Sequence, residues 1–340
     1  RWLGERAVTS AARRLPQWTV SQPAGLGFLE GFPNGALAPT TGSEQLARMH
    51  DVHQDSPDDS DVDVSELPPV RRAVIGILGG MGPLATADLY RKIIETTPAA
   101  TDQEHIPVVI YADPSVPDRT EALLHGGEDP VPWLVRGARI LVDMGADFII
   151  IPCNTAHAFL EDVTPPIRKP FLSMIDAAAD AIRDMYPDAD AVGLLATSGT
   201  ITAGIYQRAL EDRGLEVIVP DDDIQRRCVM GAIREVKGGR SNGSATRLLV
   251  EAGEHLTARG ADVLLEACTE IPLAFQQRHI ETPIVDATMA LARMAIETAR
   301  HLDTAAQWET STTGWNLTDI SSFTVTRSTG AGGAGGAGER

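Results

Sequence analysis

Two cysteines stand where apolar runs give out. Cys153 follows "FIII" and a proline (148–152), and Cys268 closes the run "DVLLEA" (262–267). In both cases Gly-Ala-Asp begins eight residues upstream, at Gly145 and at Gly260. An isolated cysteine is most often a small buried hydrophobe. Chance burial does not place two of them at matching positions of a repeated segment. One thiolate would suggest a nucleophile, whereas two thiols facing one cleft suggest a pair of bases. One sulfur could remove a proton from one face of a carbon stereocentre while the other delivers a proton to the opposite face. The reference pKa of cysteine, ~8.5, can be tuned toward neutrality for that task. With each sulfur ~3.5 Å from the carbon the pair would stand roughly 7 Å apart, too far for a resting disulfide. The third cysteine, Cys228, lies in the helical run "DIQRRCVMGAI" and reads as core.

The elements that must position these thiols alternate along the chain. Strand Ala73–Leu78, helix Leu84–Thr97, strand Ile106–Ala112, helix Trp133–Met144 and strand Phe148–Pro152 are followed, after a short strand near Phe171, by helix Asp176–Met185. Past Tyr186 and Pro187 the pattern restarts with strand Ala191–Ala196, and it closes with helix Ala287–His301. Such alternation predicts a mostly parallel sheet with helices on both faces. It also repeats. "AVIGILGGMGP" (73–83) matches "AVGLLATSGT" (191–200), and the interval from Gly76 to Cys153 is 77 residues against 75 from Gly193 to Cys268. Each cysteine is then followed by a proline and a helix-opening aspartate, Pro170 and Asp176 or Pro283 and Asp286. The expected fold is therefore α/β, with two pseudo-symmetric parallel-sheet halves and a cleft between them. Ligands bind beyond the carboxyl ends of such strands. Both cysteines fall there, each expected at a helix N-terminus whose dipole favours a thiolate.

Composition limits the partners. Of the net charge of −18, the first 70 residues account for −5 and the last 37 for −1, so residues 71–303 are themselves acidic. That surface argues against nucleic acid. No apolar run is long enough for a membrane span or a signal peptide, and three unpaired cysteines point to a reducing, cytoplasmic setting. The expected domains are 71–188 plus 286–303, and 189–285. Residues 1–70, with the run "DVHQDSPDDSDVDVSELPP", and residues 304–340, ending "STGAGGAGGAGER", are expected to be disordered tails. The chain opens on Arg1, as a fragment or a processed product would.

The ordered motifs "GGMGPLAT", "VPDRT", "IPCNTAH", "SGT" and "ACTEIPL" resemble those of the cofactor-independent aspartate/glutamate racemases over about residues 72–302. The resemblance implies two Rossmann-like halves, no cofactor, no metal, and Cys153 and Cys268 as the catalytic proton-transfer pair. It implies substrate-carboxylate contacts at Arg119 and Lys237. Substrate contacts are also implied for Asn154, Thr155, Thr269 and Glu270 beside the cysteines, and for Met81 and Ser198 on the equivalent turns. The implied partner is a small amino acid, acidic by the two cations; a homodimer is compatible with the sequence, which does not fix the oligomeric state. Glu266-Ala267 departs from the family, which usually has an apolar residue and glycine there. A carboxylate in a central strand is costly unless paired.

The site residues have ordinary readings as well. A loop arginine such as Arg119 is commonly solvated, although a planar guanidinium suits a carboxylate. Lys237 beside Gly238-Gly239 suits a helix C-terminus in any case. His157 could form a dyad with Cys153, but its counterpart in the second half is Pro272, so it reads as a supporting group. Other activities remain open from the residues alone. Gly80-Met81-Gly82-Pro83-Leu84-Ala85 with Asp113 could be a dinucleotide site, although Asp113 lies about 30 residues on rather than ~20. A maleate isomerase, hydantoin racemase or decarboxylase would reuse one or both cysteines, and an inactive binding protein would use neither. Zinc binding by Cys153, His157 and Cys268 lacks a common ligand spacing.

Overall fold

The computed structural model describes residues 72–240 and 243–309, with side chains described as far as Asp303. Of the tails expected at 1–70 and 304–340, residues 1–70 and 310–340 lie outside these residues, whereas 304–309 continue the last helix, against expectation. Among the described residues, seven short strands form two parallel sheets. The first has β1 (Ile75–Gly79) at its centre, flanked by β2 (Val108–Ala112) and β3 (Phe148–Ile150). A single bridge from Ile149 to Phe171 extends it past β3. The second has the order β5 (Glu216–Ile218), β4 (Ala191–Ala196), β6 (Val263–Ala267), β7 (Ile284–Asp286). With Phe171 taken as the fourth position, the strand orders are the same. The repeat legible in the sequence is thus a repeat of topology.

The central strands are continuous apolar runs because both faces are covered. Every residue of β1, β4 and β6 is buried. On the outer face of the first sheet lies α3 (Val131–Asp143), which contributes Leu134, Ala138 and Leu141 to a core with Leu78 and Ile149. On the outer face of the second, α7 (Met230–Lys237) and α8 (Gly243–Ala258) bring Ile233 and Leu249 against Leu195 and Leu264. Between the sheets runs the largest core, where α1 (Pro83–Thr96), α4 (Met174–Met185) and α9 (Ala287–Glu309) meet side chains from both. Alanines 177, 178, 179, 292, 295 and 299 are buried there, and their small size lets α4 and α9 approach closely. The two halves therefore share a core. Each large aliphatic buried in it contributes about 1.5–3 kcal/mol.

Element ends differ from expectation for local reasons. β1 begins two residues later than expected because the first amides bond to side chains: Ala73 N–H to Asp303 Oδ1 and Val74 N–H to Asp147 Oδ2. β3 stops at Ile150 because Cys153 N–H turns back to Ile151 O at 2.8 Å. The two short helices nearest the cleft are α2 (Arg119–His125) and α5 (Ser198–Ala203), the latter followed by α6 (Ile205–Glu211). Their N-caps are Asp118, accepting from Thr120 and Glu121 N–H, and Thr197, accepting from Thr200 N–H. α2 and α5 pack on each other, and a Cβ at Gly199 would stand 3.0 Å from Thr120 Oγ1. No described helix is long and apolar enough to cross a membrane.

Candidate active site

Cys153 and Cys268 lie at the same position in the two halves, just past β3 and β6, and both line one cleft. They are 6% and 5% exposed, and both are free thiols. The helices expected to follow them are short: a 3-10 turn at Thr155–Phe159 that runs into one α-helical turn, Leu160–Val163, and after Cys268 a single 3-10 turn at Ile271–Leu273. A turn of that length has little dipole to offer. Cys268 is correspondingly not tuned downward. Burial pushes its thiol well above the usual value, the charge of Glu270 pushes it further, and Lys237 works the other way. Its Sγ–H donates to Glu270 Oε2 at 3.2 Å. Cys268 is thus held as the thiol.

His157 is not a base for Cys153. Its Nδ1 lies 3.0 Å from Cys153 O, and its Nε2 accepts Met174 N–H at 3.0 Å. An accepting Nε2 requires the proton on Nδ1, so both ring nitrogens are committed. Burial lowers its pKa, which keeps the ring neutral. The buried imidazole pins the Cys153 turn to the start of α4.

Hydroxyls join the halves at the floor of the cleft. Thr155 Oγ1 lies 3.0 Å from Thr197 Oγ1 and 2.9 Å from Thr200 Oγ1, and the last two are 3.0 Å apart. One threonine comes from the first half and two from the second. Thr269 Oγ1 donates to Pro152 O at 3.3 Å, a second tie across the halves. The cleft is narrow at its floor, with about 10 Å³ of space there, room for a single water.

Two cations serve the cleft. Arg119, 7% exposed, is held by three backbone carbonyls: Nη1 donates to Val116 O and Pro117 O, and Nη2 to Met81 O. That fixes its plane and leaves Nε–H buried without a protein partner. The loop arginine is therefore positioned and not solvated. Lys237, its side chain 36% exposed, lies 3.9 Å from Asp118 Oδ2. Partial burial opposes its charge but is outweighed by Glu270, Cys268, Cys153 and Asp118, so its pKa is raised. It stays an ammonium.

Met81, Arg119, Asn154, Thr155, Lys237, Thr269 and Glu270 all line the cleft with the cysteines. Ser198 does not. It faces Gln225 Nε2 at 3.4 Å, and Thr197 takes the place in the lining. Asp118, Thr120 and Thr197 also line it and were not singled out from the sequence. Asp118 and Thr197 are N-caps, and D-x-x-E across Asp118–Glu121 is a helix-start signal. The cap pattern could have marked the first of these. Cys228, fully buried in a π-helical turn at Gln225–Val229, is core as expected.

The first strand-to-helix turn does not suit a dinucleotide. Gly80, at φ +96°, is packed so that a Cβ would fall 2.3 Å from Asp113 O. Asp113 spends its carboxylate on Ser115 N–H, Ser115 Oγ and the Tyr111 hydroxyl. Glu270 Oε1 lies 3.2 Å from where a Gly82 Cβ would be, so a pyrophosphate at this turn would meet a carboxylate. Glu266, the other departure, is 3% exposed and stands in register with Asp286 on β7. Burial and then Asp286 push its pKa well above the ordinary range. It is carried as a neutral acid, which is how a central strand tolerates it. Below it Lys92 Nζ bridges Asp88 Oδ2 and Asp286 Oδ2, each at 2.5 Å.

Two like parallel sheets sharing one cleft, with a cysteine delivered by each, define a pseudo-symmetric α/β protein with paired thiols. Residues 78–295 match the model of the Asp/Glu/Hydantoin racemase family, and the chain belongs to that family. Membership makes it an isomerase of the amino-acid racemase class. Among its relatives, the broad specificity amino-acid racemase RacX of Bacillus subtilis (strain 168) is 28% identical over 230 residues, 66% of this chain and 97% of the relative. The glutamate racemase of Aquifex pyrophilus is 28% identical over 160 residues, 46% of this chain and 59% of that protein. Among solved structures, Picrophilus torridus aspartate racemase superposes with TM-score 0.59 at 34% identity, covering 67% of this chain and 94% of that one.

Proposed function

We propose that this chain racemises a small acidic amino acid, aspartate or glutamate, at Cα and without a cofactor, using Cys153 and Cys268 as bases on opposite faces. The observation that carries the proposal is the delivery of both thiols to one cleft by equivalent strands, beside Arg119 and Lys237. With Cys268 holding its proton, the Cα–H of one enantiomer is taken by Cys153 as thiolate. The electron pair left on Cα is shared with the α-carboxylate, to which Arg119 donates its Nε–H, a donor with no protein partner of its own. Cys268 then gives its proton to the opposite face. Cys153 ends as the thiol and Cys268 as the thiolate, and the reverse reaction exchanges the roles. Lys237 counters the sulfur charge and meets the side-chain carboxylate, which in a partly desolvated cleft needs a cation. Relatives named for aspartate and glutamate support an amino acid with two carboxylates without choosing between the two, whereas the one named for broad specificity supports only an amino acid. On this reading the halves are residues 71–188 with 286–303, and 189–285. Free catalytic thiols belong in a reducing compartment, the cytosol.

The test is proton exchange by single-cysteine variants. Cys153→Ser and Cys268→Ser are each expected to abolish racemisation of both enantiomers, because serine is too weak an acid to supply the anionic base. In D2O, NMR at Cα–H is expected to show residual exchange of opposite enantiomers by the two variants. Normal racemisation by Cys268→Ser would refute the two-base reading and leave Cys153 as a lone nucleophile.

A further inference from the structure

Asn154 presents an unusual arrangement. The residue is 2% exposed, lines the cleft, and its Nδ2 has no protein partner. Its Oδ1 is taken, accepting the Tyr206 hydroxyl at 2.5 Å. Tyr206 belongs to the other half. Gly204, at φ +65°, ends α5 and turns the chain so that the first turn of α6 buries the Tyr206 ring completely. Only glycine adopts that conformation without strain.

We propose, resting on the reading above, that Tyr206 is a positioning residue: its hydroxyl fixes the Asn154 amide with the NH2 group toward the cleft, as a donor to the substrate carboxylate. The two orientations of an amide are chemically opposite, since one offers two donors and the other an acceptor. Turning the Asn154 amide over would set Nδ2 against the phenol and leave the phenol proton without that acceptor. It would also turn Oδ1 toward a carboxylate, acceptor against acceptor. The phenol keeps its proton, because burial raises its pKa well above the ordinary value, and Asp286, Cys268 and Asp176 add to the effect. Asn154 Nδ2 and Arg119 Nε are then two buried donors on cleft residues, and a carboxylate is the ligand that satisfies both. Because donor and anchor lie in different halves, the amide is fixed only while the halves are together.

The experiment is a double-mutant cycle with Tyr206→Phe, Asn154→Ala and both together. Succinate, which has no Cα proton at a stereocentre to exchange, serves as the binding probe, and aspartate and glutamate serve for turnover. Tyr206→Phe removes one oxygen and keeps the ring, and thermal melting checks that each variant is folded. The expected result is a rise of about tenfold in succinate Kd and in KM, the worth of one hydrogen bond to a charged acceptor, with kcat little changed. In the Asn154→Ala background the same Tyr206→Phe change is expected to add nothing. An undiminished loss in that background, or unaltered succinate binding by folded Tyr206→Phe, would overturn the positioning role. If the unmodified protein shows the coupled succinate binding but does not racemise aspartate or glutamate, the positioning role stands and the proposed activity falls. No succinate binding by the unmodified protein overturns both.

Discussion

Replacing Glu266 by glutamine is expected to stabilise the protein, increasingly so as the pH rises. In the unfolded chain this glutamate ionises near its model value of 4.5, whereas burial in β6 opposite Asp286 holds its folded pKa well above that. Between the two values the folded state binds one proton more than the unfolded state, so stability falls as the pH rises. The group's contribution is fully present below 4.5 and is lost progressively up to the folded pKa. Each pH unit in that window costs about 1.4 kcal/mol. Glutamine has nearly the shape of the protonated acid and does not titrate. Glu266 Oε1 has no hydrogen-bond partner to lose. Between 4.5 and the folded pKa the glutamine variant should therefore gain about 1.4 kcal/mol per pH unit on the unmodified protein, roughly 3–6 °C in Tm per unit for a chain of this size. Thermal melts followed by circular dichroism at pH 4.5, 5.5 and 6.5 measure it. Parallel stability profiles for the two proteins would show that Glu266 ionises normally and that the account of its burial is wrong.

Arg119→Lys keeps the charge but loses the planar group that Val116 O, Pro117 O and Met81 O hold, so kcat/KM should fall at least about tenfold by polarimetry with some loss of stability; unaltered turnover would place the carboxylate elsewhere. Lys237→Met should raise KM for aspartate and glutamate more than for alanine, and better turnover of neutral amino acids by the unmodified protein would remove the side-chain carboxylate from its role. The same change removes the cation that draws the Cys268 pKa down, so the limb of the pH–rate profile that reports thiolate formation at Cys268 should move to higher pH.

What the sequence made legible was whatever the repeat wrote twice. The equivalence of Cys153 and Cys268 and the parallel strands before them follow from runs such as "FIII" and "VLLEA", whose burial leaves a chain little choice. Side-chain direction was a different matter. Ser198 and Thr197 are neighbours with the same chemistry, and which one faces the cleft is decided by which of them caps α5. The thiolate-favouring helix ends were also misjudged. Polar residues after a strand look alike whether they open a long helix or one 3-10 turn, and Cys268 sits before the shorter outcome. Tyr206 was invisible because its partner lies 52 positions away in the other half. Glu266 was legible as an anomaly, and its neutral state only once Asp286 stood beside it.

The packing of α9 on α1 has a consequence for how the chain comes into being. The amide of Ala73 waits for the carboxylate of Asp303, 230 residues later, and α1 is covered by α9 only when nearly the whole described chain exists. At about 5–20 residues per second of synthesis, the first strand spends roughly ten to fifty seconds without its closing helix. Contacts of such long range also slow folding itself, since a large loop must close before they contribute. The second half, whose strands lie between residues 191 and 286, can assemble its own sheet in that interval. In the nascent chain the second sheet can therefore be fully paired before α9 closes over the core that both sheets share.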